Sequence, residues 1–180
     1  MKKIFATIIG SLFISAILVS CGPTSNDAIK YNDELVNQQT KVFEKETVLI
    51  DAISKNMPDK LEGLYSDLKK QVDESISAVE KMDAFDGKTD FKDAAMKVFN
   101  TYKDVTANEY NDMIKYSKIP DSLYTQEDDD KVIELSKKID DKLNKSVDDF
   151  IQIQKSFAGK YKFELTADKT EKKEVKKVNE

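Results

Sequence analysis

The residue best suited to covalent chemistry is Cys21, the only cysteine among the 180 residues. Its thiolate would be a good nucleophile for forming a thioether. The residues before it have the parts of a secretory signal: Lys2 and Lys3, an uncharged and mostly apolar run over 4–19, and then small residues. That run is shorter than the ~20 residues that a membrane-spanning helix needs. The sequence therefore predicts an export signal, residues 1–20, that is removed before Cys21.

The four residues Leu18-Val19-Ser20-Cys21 resemble a bacterial lipobox. This resemblance implies that a diacylglyceryl group is joined to the Cys21 thiol and that a peptidase cuts just before this residue. Two or more fatty chains, such as palmitate, then give stable attachment to membrane lipid. The alternative is an ordinary signal peptide followed by a free cysteine, although exported cysteines normally pair. Gly22 stands where an aspartate is associated with inner-membrane retention, which favours the outer membrane.

A column of polar side chains is a candidate ligand site. Asn32, Gln39 and Glu46 recur every seven residues beside the apolar stripe of the first predicted helix. Glu109, on the apolar side of the third predicted helix, is their candidate partner. Buried acids need partners, so a cluster of Glu46 and Glu109 would imply a ligand, a cation or a raised pKa. The alternative is a boundary face, or buried polar groups that fix the register of the helices.

A candidate partner-contact site lies in the longest break between predicted helices. Ile119, Leu123 and Tyr124 fall outside any clear helical stripe. Apolar and aromatic side chains on an exposed tip often mark a contact site. The alternative is that they fold back and close the open end of the core.

The composition excludes most catalytic and metal chemistry. The chain has no histidine, and lipidation of Cys21 would leave no free thiol. Serine and cysteine nucleophile systems with histidine are therefore excluded, as are zinc sites built on His or Cys and Glu-x-x-His di-iron sites. There is also no GxGxxG motif and no P-loop. We therefore expect no catalytic residues, no metal and no cofactor.

The charge also argues against nucleic acid as a partner. All 29 basic residues are lysine, and 34 acidic residues outnumber them. No basic excess is present to neutralise phosphates, and no guanidinium is present for bidentate recognition.

The first helix is predicted over about 27–54, after a polar tether at 21–26. Two adjacent columns of apolar residues repeat every seven positions along it, which predicts a wide buried stripe. The first column is Ala28, Leu35, Val42 and Leu49, and the second is Ile29, Val36, Phe43 and Ile50.

Three more helices follow from apolar spacing and from breakers. The second runs from Pro58 to about 85, and Asp86-Gly87 is a stop signal. The third starts near residue 89 or 90 and continues to about 116. For the fourth, Thr125 and Asp128 resemble a capping box, which we favour over a cation site for the acids at 127–130. Gly159 is expected to end this helix.

These elements predict an all-α fold, an up-down-up-down four-helix bundle over 27–165. The segment 166–180 is rich in Lys and Glu and has almost nothing to bury, so it should be disordered. In such a bundle the 117–126 connection lies at the end far from Cys21, ~40 Å away by helix rise.

The stretch from Asn26 to Phe43, NDAIKYNDELVNQQTKVF, follows closely after the lipobox cysteine. It resembles uncharacterised helical surface lipoproteins of Leptospira and Bacteroidota. The resemblance implies a lipid-anchored envelope protein with a helical bundle, and it supplies no catalytic residues. We therefore expect a non-catalytic binding or structural module, with a possible protein partner at the membrane-distal end. The alternative is a periplasmic accessory subunit or small-ligand carrier, which would need a cavity of several hundred Å3 within the bundle.

Overall fold

A computed structural model describes residues 22–165 of the chain. The predicted export signal at 1–20, Cys21 and the segment 166–180 lie outside the described residues, so the predictions about lipidation and tail disorder concern positions that the structure leaves undescribed. Over the described range the protein is all-α. Its helices form four rods, and one rod contains two helices joined by a π-helical turn. The helices are α1 (Ser25–Ser54), α2 (Pro58–Glu80), α3 (Asp90–Val105), α4 (Asn111–Tyr116) and α5 (Gln126–Tyr161). None of them combines the length and apolar character that crossing a membrane requires.

Two capping boxes start the first and last helices. The Thr125 hydroxyl accepts a hydrogen bond from the Asp128 backbone N–H, and the Asp128 carboxylate accepts one from the Thr125 N–H, as predicted. Thr24 and Asp27 form the same pair, which satisfies backbone donors at the start of α1. The helix therefore begins at Ser25, two residues before the predicted start.

The end of α2 differs from the prediction. The helix begins at Pro58 but stops at Glu80, about five residues earlier than expected. The backbones of Phe85 and Lys88 then exchange two hydrogen bonds of 3.0 Å around Asp86-Gly87. Both turn residues have positive φ, 55° and 69°. An Asp-Gly pair favours this two-residue turn, so it forms a loop tip and not a helix end.

The end of α5 also differs from the prediction. Gly159 does not end the helix, which continues to Tyr161. Lys162 takes the left-handed conformation, with φ of 57°, and the Phe163 N–H donates to the Ala158 carbonyl at 3.1 Å. The chain thus closes its last turn with a left-handed residue that is not glycine.

The core is made by two helix pairs that pack together. α1 packs mainly on α2, and α5 packs mainly on α3, while α2 and α3 join the pairs. Aromatic rings close the end where α1 starts and α5 finishes, with ring centroids 4.7 to 6.3 Å apart. These rings belong to Tyr31, Phe85, Phe91, Phe157 and Tyr161. The opposite end lacks this ring cluster and is crossed by an ion pair between Lys118 and Glu62.

The prediction that both apolar columns of α1 are buried is wrong for the outer half of the second column, although Ile29 and Val36 are half-buried. The first column is fully covered, as Leu35, Val42 and Leu49 show. In the second column, Phe43 is 54% exposed and Ile50 is 46% exposed. The polar column between the two apolar columns is turned inward at Asn32 and Glu46, where neighbouring helices supply hydrogen bonds.

Candidate functional site

Glu46 is the centre of the buried polar group. Its side chain lies almost entirely out of solvent, at 5% exposure. The Tyr102 hydroxyl donates to its Oε2 at 2.9 Å, and the Tyr110 hydroxyl donates to its Oε1 at 2.7 Å. A buried carboxylate is costly unless it is hydrogen-bonded, and bonds to a charged acceptor are the stronger kind. The two tyrosines therefore allow α1 to bury an acid in the core.

A π-helical turn lies between α3 and α4, at Thr106–Tyr110, and brings both tyrosines to the same carboxylate. Tyr102 and Tyr110 are eight residues apart, which in a regular α-helix leaves them about 80° out of line. The wider π turn adds a residue and reduces this offset. Single π turns inside α-helices are frequent at functional sites.

The electrostatics of this cluster follow from its burial. Burial raises the pKa of Glu46, and the negative charge of Asp140 on α5 raises it further, while the two tyrosine hydrogen bonds act in the opposite direction. Burial and the adjacent Glu46 carboxylate raise the pKa of Tyr102 and of Tyr110. Both tyrosines therefore keep their protons and remain donors at neutral pH.

Glu109, the predicted partner of Glu46, is engaged elsewhere. It is 8% exposed, and its Oε1 accepts a hydrogen bond of 2.8 Å from Lys142 on α5. Lys142 also donates to Asp104 at 2.7 Å. Glu109 Oε2 and Thr106 Oγ1 are buried and have no hydrogen-bond partner among the described residues. The structure thus places the two acids in separate groups, one held by tyrosines and one by a lysine.

The rest of the polar column contacts neighbouring helices. Asn32 is buried, and its Oδ1 accepts a 2.8 Å hydrogen bond from Gln154 on α5. Gln38, beside the column, is buried and accepts a hydrogen bond from Ser75 on α2 at 3.2 Å. Gln39 is half-buried. These bonds suit the alternative in which polar groups fix helix register, and ligand lining by the column stays a prediction.

The predicted partner-contact residues lie at the tip between α4 and α5. Leu123 is 67% exposed and Tyr124 is 36% exposed, whereas Ile119 is half-buried. The backbone N–H groups of Leu123 and Tyr124 both donate to the Pro120 carbonyl, at 2.8 and 3.0 Å. This turn holds the Leu123 side chain in solvent instead of over the core.

Two open grooves on the surface have no residue of the polar column in their lining. One, of about 710 Å3, runs between α3 and α5 past Asp104 and Lys142. The other, of about 460 Å3, lies along α2. Neither is lined by Asn32, Gln39, Glu46 or Glu109. Among residues 22–165, no group of three or more His, Cys, Asp and Glu side chains is placed to hold a metal ion.

Three features of this site are not predicted by the sequence pattern: Tyr102 and Tyr110 as partners of Glu46, and the π turn. One signal was present, since the apolar spacing of the third helix is interrupted between Val105 and Met113. Comparison with known proteins gives no further guide, because no protein-family model, curated protein or solved structure matches the chain.

Proposed function

We propose that this chain is a lipid-anchored, non-catalytic binding module of a bacterial cell envelope, held by acylated Cys21 and presenting its far half to a protein partner. The lipobox-like residues 18–21 support the anchor. Gly22 favours the outer membrane over the inner membrane as its location. Only three residues, 22–24, separate Cys21 from α1, so the tether is shorter than the sequence suggested and the start of α1 lies close to the lipid.

An up-down-up-down course of the four rods is part of this proposal. The start of α1 and the end of α5 meet through a 2.6 Å hydrogen bond from the Ser25 hydroxyl to the Tyr161 carbonyl. The loop after α2 reaches the same end, where the Asp83 carbonyl accepts from the Tyr31 hydroxyl at 3.1 Å. These contacts support a bundle whose anchored end carries the Asp86-Gly87 turn and whose far end carries the tip at 117–125.

The observation that carries the proposal is where the exposed large apolar residues lie. Rise along α1 puts Phe43 ~27 Å from Ser25. The anchored end has its aromatic rings packed together. Solvent-exposed large hydrophobic side chains occur instead in the second half of α1, at the tip, and in the first part of α5. They are Phe43, Val48, Ile50, Leu123, Tyr124 and Ile133. Exposed apolar surface of this kind marks interaction sites.

The interior supports binding by the surface more than transport of a small ligand. Each oxygen of Glu46 already accepts a hydrogen bond from the chain's own tyrosines. This carboxylate lines neither of the two open grooves. A carrier would need space beside the polar column, so the carrier hypothesis is the weaker of the two.

Two measurements test the proposal. The wild-type protein should enter the detergent phase on cloud-point separation, and Cys21→Ser should stay in the aqueous phase. A photo-cross-linking amino acid at Leu123 or Phe43 should capture a partner in intact cells, and the same group at Lys88, an exposed residue of the anchored end, should not. Equal partition of both proteins would contradict the anchor, and equal capture at all positions would contradict a far-end site.

A further inference from the structure

Within the described residues, the hydrogen bonds and ring contacts that join α1 to α5 lie near the anchored end. Among the described residues, the hydrogen bonds and ring contacts between these two helices join 25–32 to 154–161. Asn32 and Gln154 form the last of them, at 2.8 Å. Farther out, Phe43 and Ile50 on α1 and Ile133 on α5 are exposed. Among the described residues, no such bond or ring contact joins the two helices in the far half of the molecule, where their exposed apolar side chains lie on either side of a seam.

The register of this seam follows from the Asn32–Gln154 pair. The helices run in opposite directions, so seven residues forward on α1 face seven residues back on α5. Glu46 then stands opposite Asp140, which agrees with the electrostatic effect of Asp140 on Glu46. One heptad farther, Ile53 stands opposite Ile133. We define the α1–α5 seam by Val36, Phe43 and Ile50 on α1 together with Ile133, Asp140 and Val147 on α5.

The α1 side of the seam is an apolar row that suits a helix. Val36, Phe43 and Ile50 repeat every seven residues, with Thr40 and Thr47 between them at spacings of four and three. The Thr40 hydroxyl donates to the Val36 carbonyl at 3.0 Å, and the Thr47 hydroxyl donates to the Phe43 carbonyl at 2.8 Å. With the hydroxyls bonded to their own backbone, the row has the heptad pattern of a coiled-coil interface and is ~21 Å long.

The charges beside the seam have one predominant sign. Their positions on the two helices place exposed acidic side chains along both margins of the seam. Lys137 is the basic side chain that lies among these acids. Asp51 is paired with Lys55 at 2.8 Å. The acids are Glu44 and Asp51 on α1 and Asp129, Asp130, Asp140, Asp141 and Asp148 on α5. An acidic margin attracts a basic partner and repels a second copy of this acidic chain.

We propose that the α1–α5 seam binds a basic amphipathic helix of a partner protein. This inference rests on the proposed function and specifies the chemistry of the partner. The apolar face of such a helix would cover Val36, Phe43 and Ile50 as a third helix laid into a groove between two, and its lysines or arginines would meet the acids at the margins. A dimer through the same seam would bring like charges together.

The test uses the full lipidated protein in non-ionic detergent micelles and a labelled synthetic helix. The probe is about 18 residues long, ~27 Å as a helix, with leucines on one face and lysines elsewhere. A scrambled peptide of the same composition and a version with glutamate for lysine are the controls. Fluorescence anisotropy should show binding of the basic helix alone, weakened by added salt.

Paired variants of the protein locate the binding. Phe43→Ser with Ile50→Ser should weaken binding about tenfold or more, because two half-exposed side chains lose their apolar contact. Val48→Ser is the matched control, since Val48 is 50% exposed on the same helix but away from the seam. Asp140→Lys should weaken binding, whereas Glu74→Lys, on the outer side of α2, should not. Circular dichroism confirms that each variant is folded.

Three outcomes overturn the inference. The first is equal binding of the basic and scrambled helices, and the second is an equal effect of the seam variant and of Val48→Ser on binding. The third is self-association of the protein that the Phe43→Ser, Ile50→Ser variant abolishes, because this would assign the seam to a second copy. Photo-cross-linking at Leu123 distinguishes failure of the basic-helix inference from failure of the proposed function, because it captures a partner of any chemistry. A captured partner with no peptide binding would leave the binding module standing and reject the basic helix.

Discussion

Replacing Glu46 by alanine is the sharpest test of the buried cluster. The change removes the acceptor of two hydroxyl groups, those of Tyr102 and Tyr110, at distances of 2.9 and 2.7 Å. Tyr102 is 4% exposed and Tyr110 is 1% exposed, so water cannot readily replace the lost acceptor. Both hydroxyls would be left buried without a partner.

The magnitude follows from these losses. Each buried hydroxyl left unsatisfied costs about 1–3 kcal/mol. Removing the carboxylate offsets part of this cost, since burying a charge is itself unfavourable. We expect Glu46→Ala to lower the free energy of unfolding by about 2–4 kcal/mol, a large share of the 5–15 kcal/mol typical of a domain.

Urea unfolding followed by circular dichroism at the helical band measures this difference. Glu44→Ala is the matched control, because it makes the same change at an exposed position two residues earlier in α1. A surface change of this kind should stay within about 0.5 kcal/mol. If the two variants unfold at the same urea concentration, Glu46 is not held by the tyrosines and the description of the cluster is wrong.

Three other changes test separate parts of the account. Burial raises the pKa of Glu46 above its unfolded value of 4.5, so the folded protein holds that proton more tightly than the unfolded chain does. The free energy of unfolding of the wild type therefore falls as pH rises from 4.5 through the folded pKa. Relative to wild type, Glu46→Gln should therefore gain stability over that range, and a pH-independent difference would contradict the shift. Gln39→Leu should leave stability similar or higher if the half-buried side chain only borders the core, and a drop in stability would count against this. Changing Ile119, Leu123 and Tyr124 together to serine should lower the melting midpoint only slightly while reducing recovery of a cross-linked partner, and a large drop would mean that the tip closes the core.

The helices themselves were predictable from local signals. The proline at the start of α2 and the capping box of Thr125 at the start of α5 are signals that depend on residues a few positions apart. Both predicted helix starts are confirmed. The end of α2 was misplaced because Asp-Gly is equally suited to a tight turn. Gly159 was misassigned because Lys162, and not a glycine, takes the left-handed position.

The orientation of α1 could not be predicted in the same way. Its polar column lies between its two apolar columns on the helix surface, about 40° from the first and about 60° from the second. How far the buried face extends past the polar column toward Phe43 and Ile50 depends on partners from distant parts of the chain, since Tyr102 and Tyr110 make burial of Glu46 possible. No spacing within α1 reports those partners, and the π turn that aligns them appears in the sequence only as an interrupted apolar pattern.

The most direct test of the central claim is the mass of the N-terminal peptide of the protein isolated from cell membranes. The account predicts a chain that begins at Cys21 and carries diacylglyceryl and fatty acyl groups on this residue, with no modified chain from the Cys21→Ser variant. A mature chain that retains residues 1–20, or one that begins at an unmodified Cys21, would contradict it.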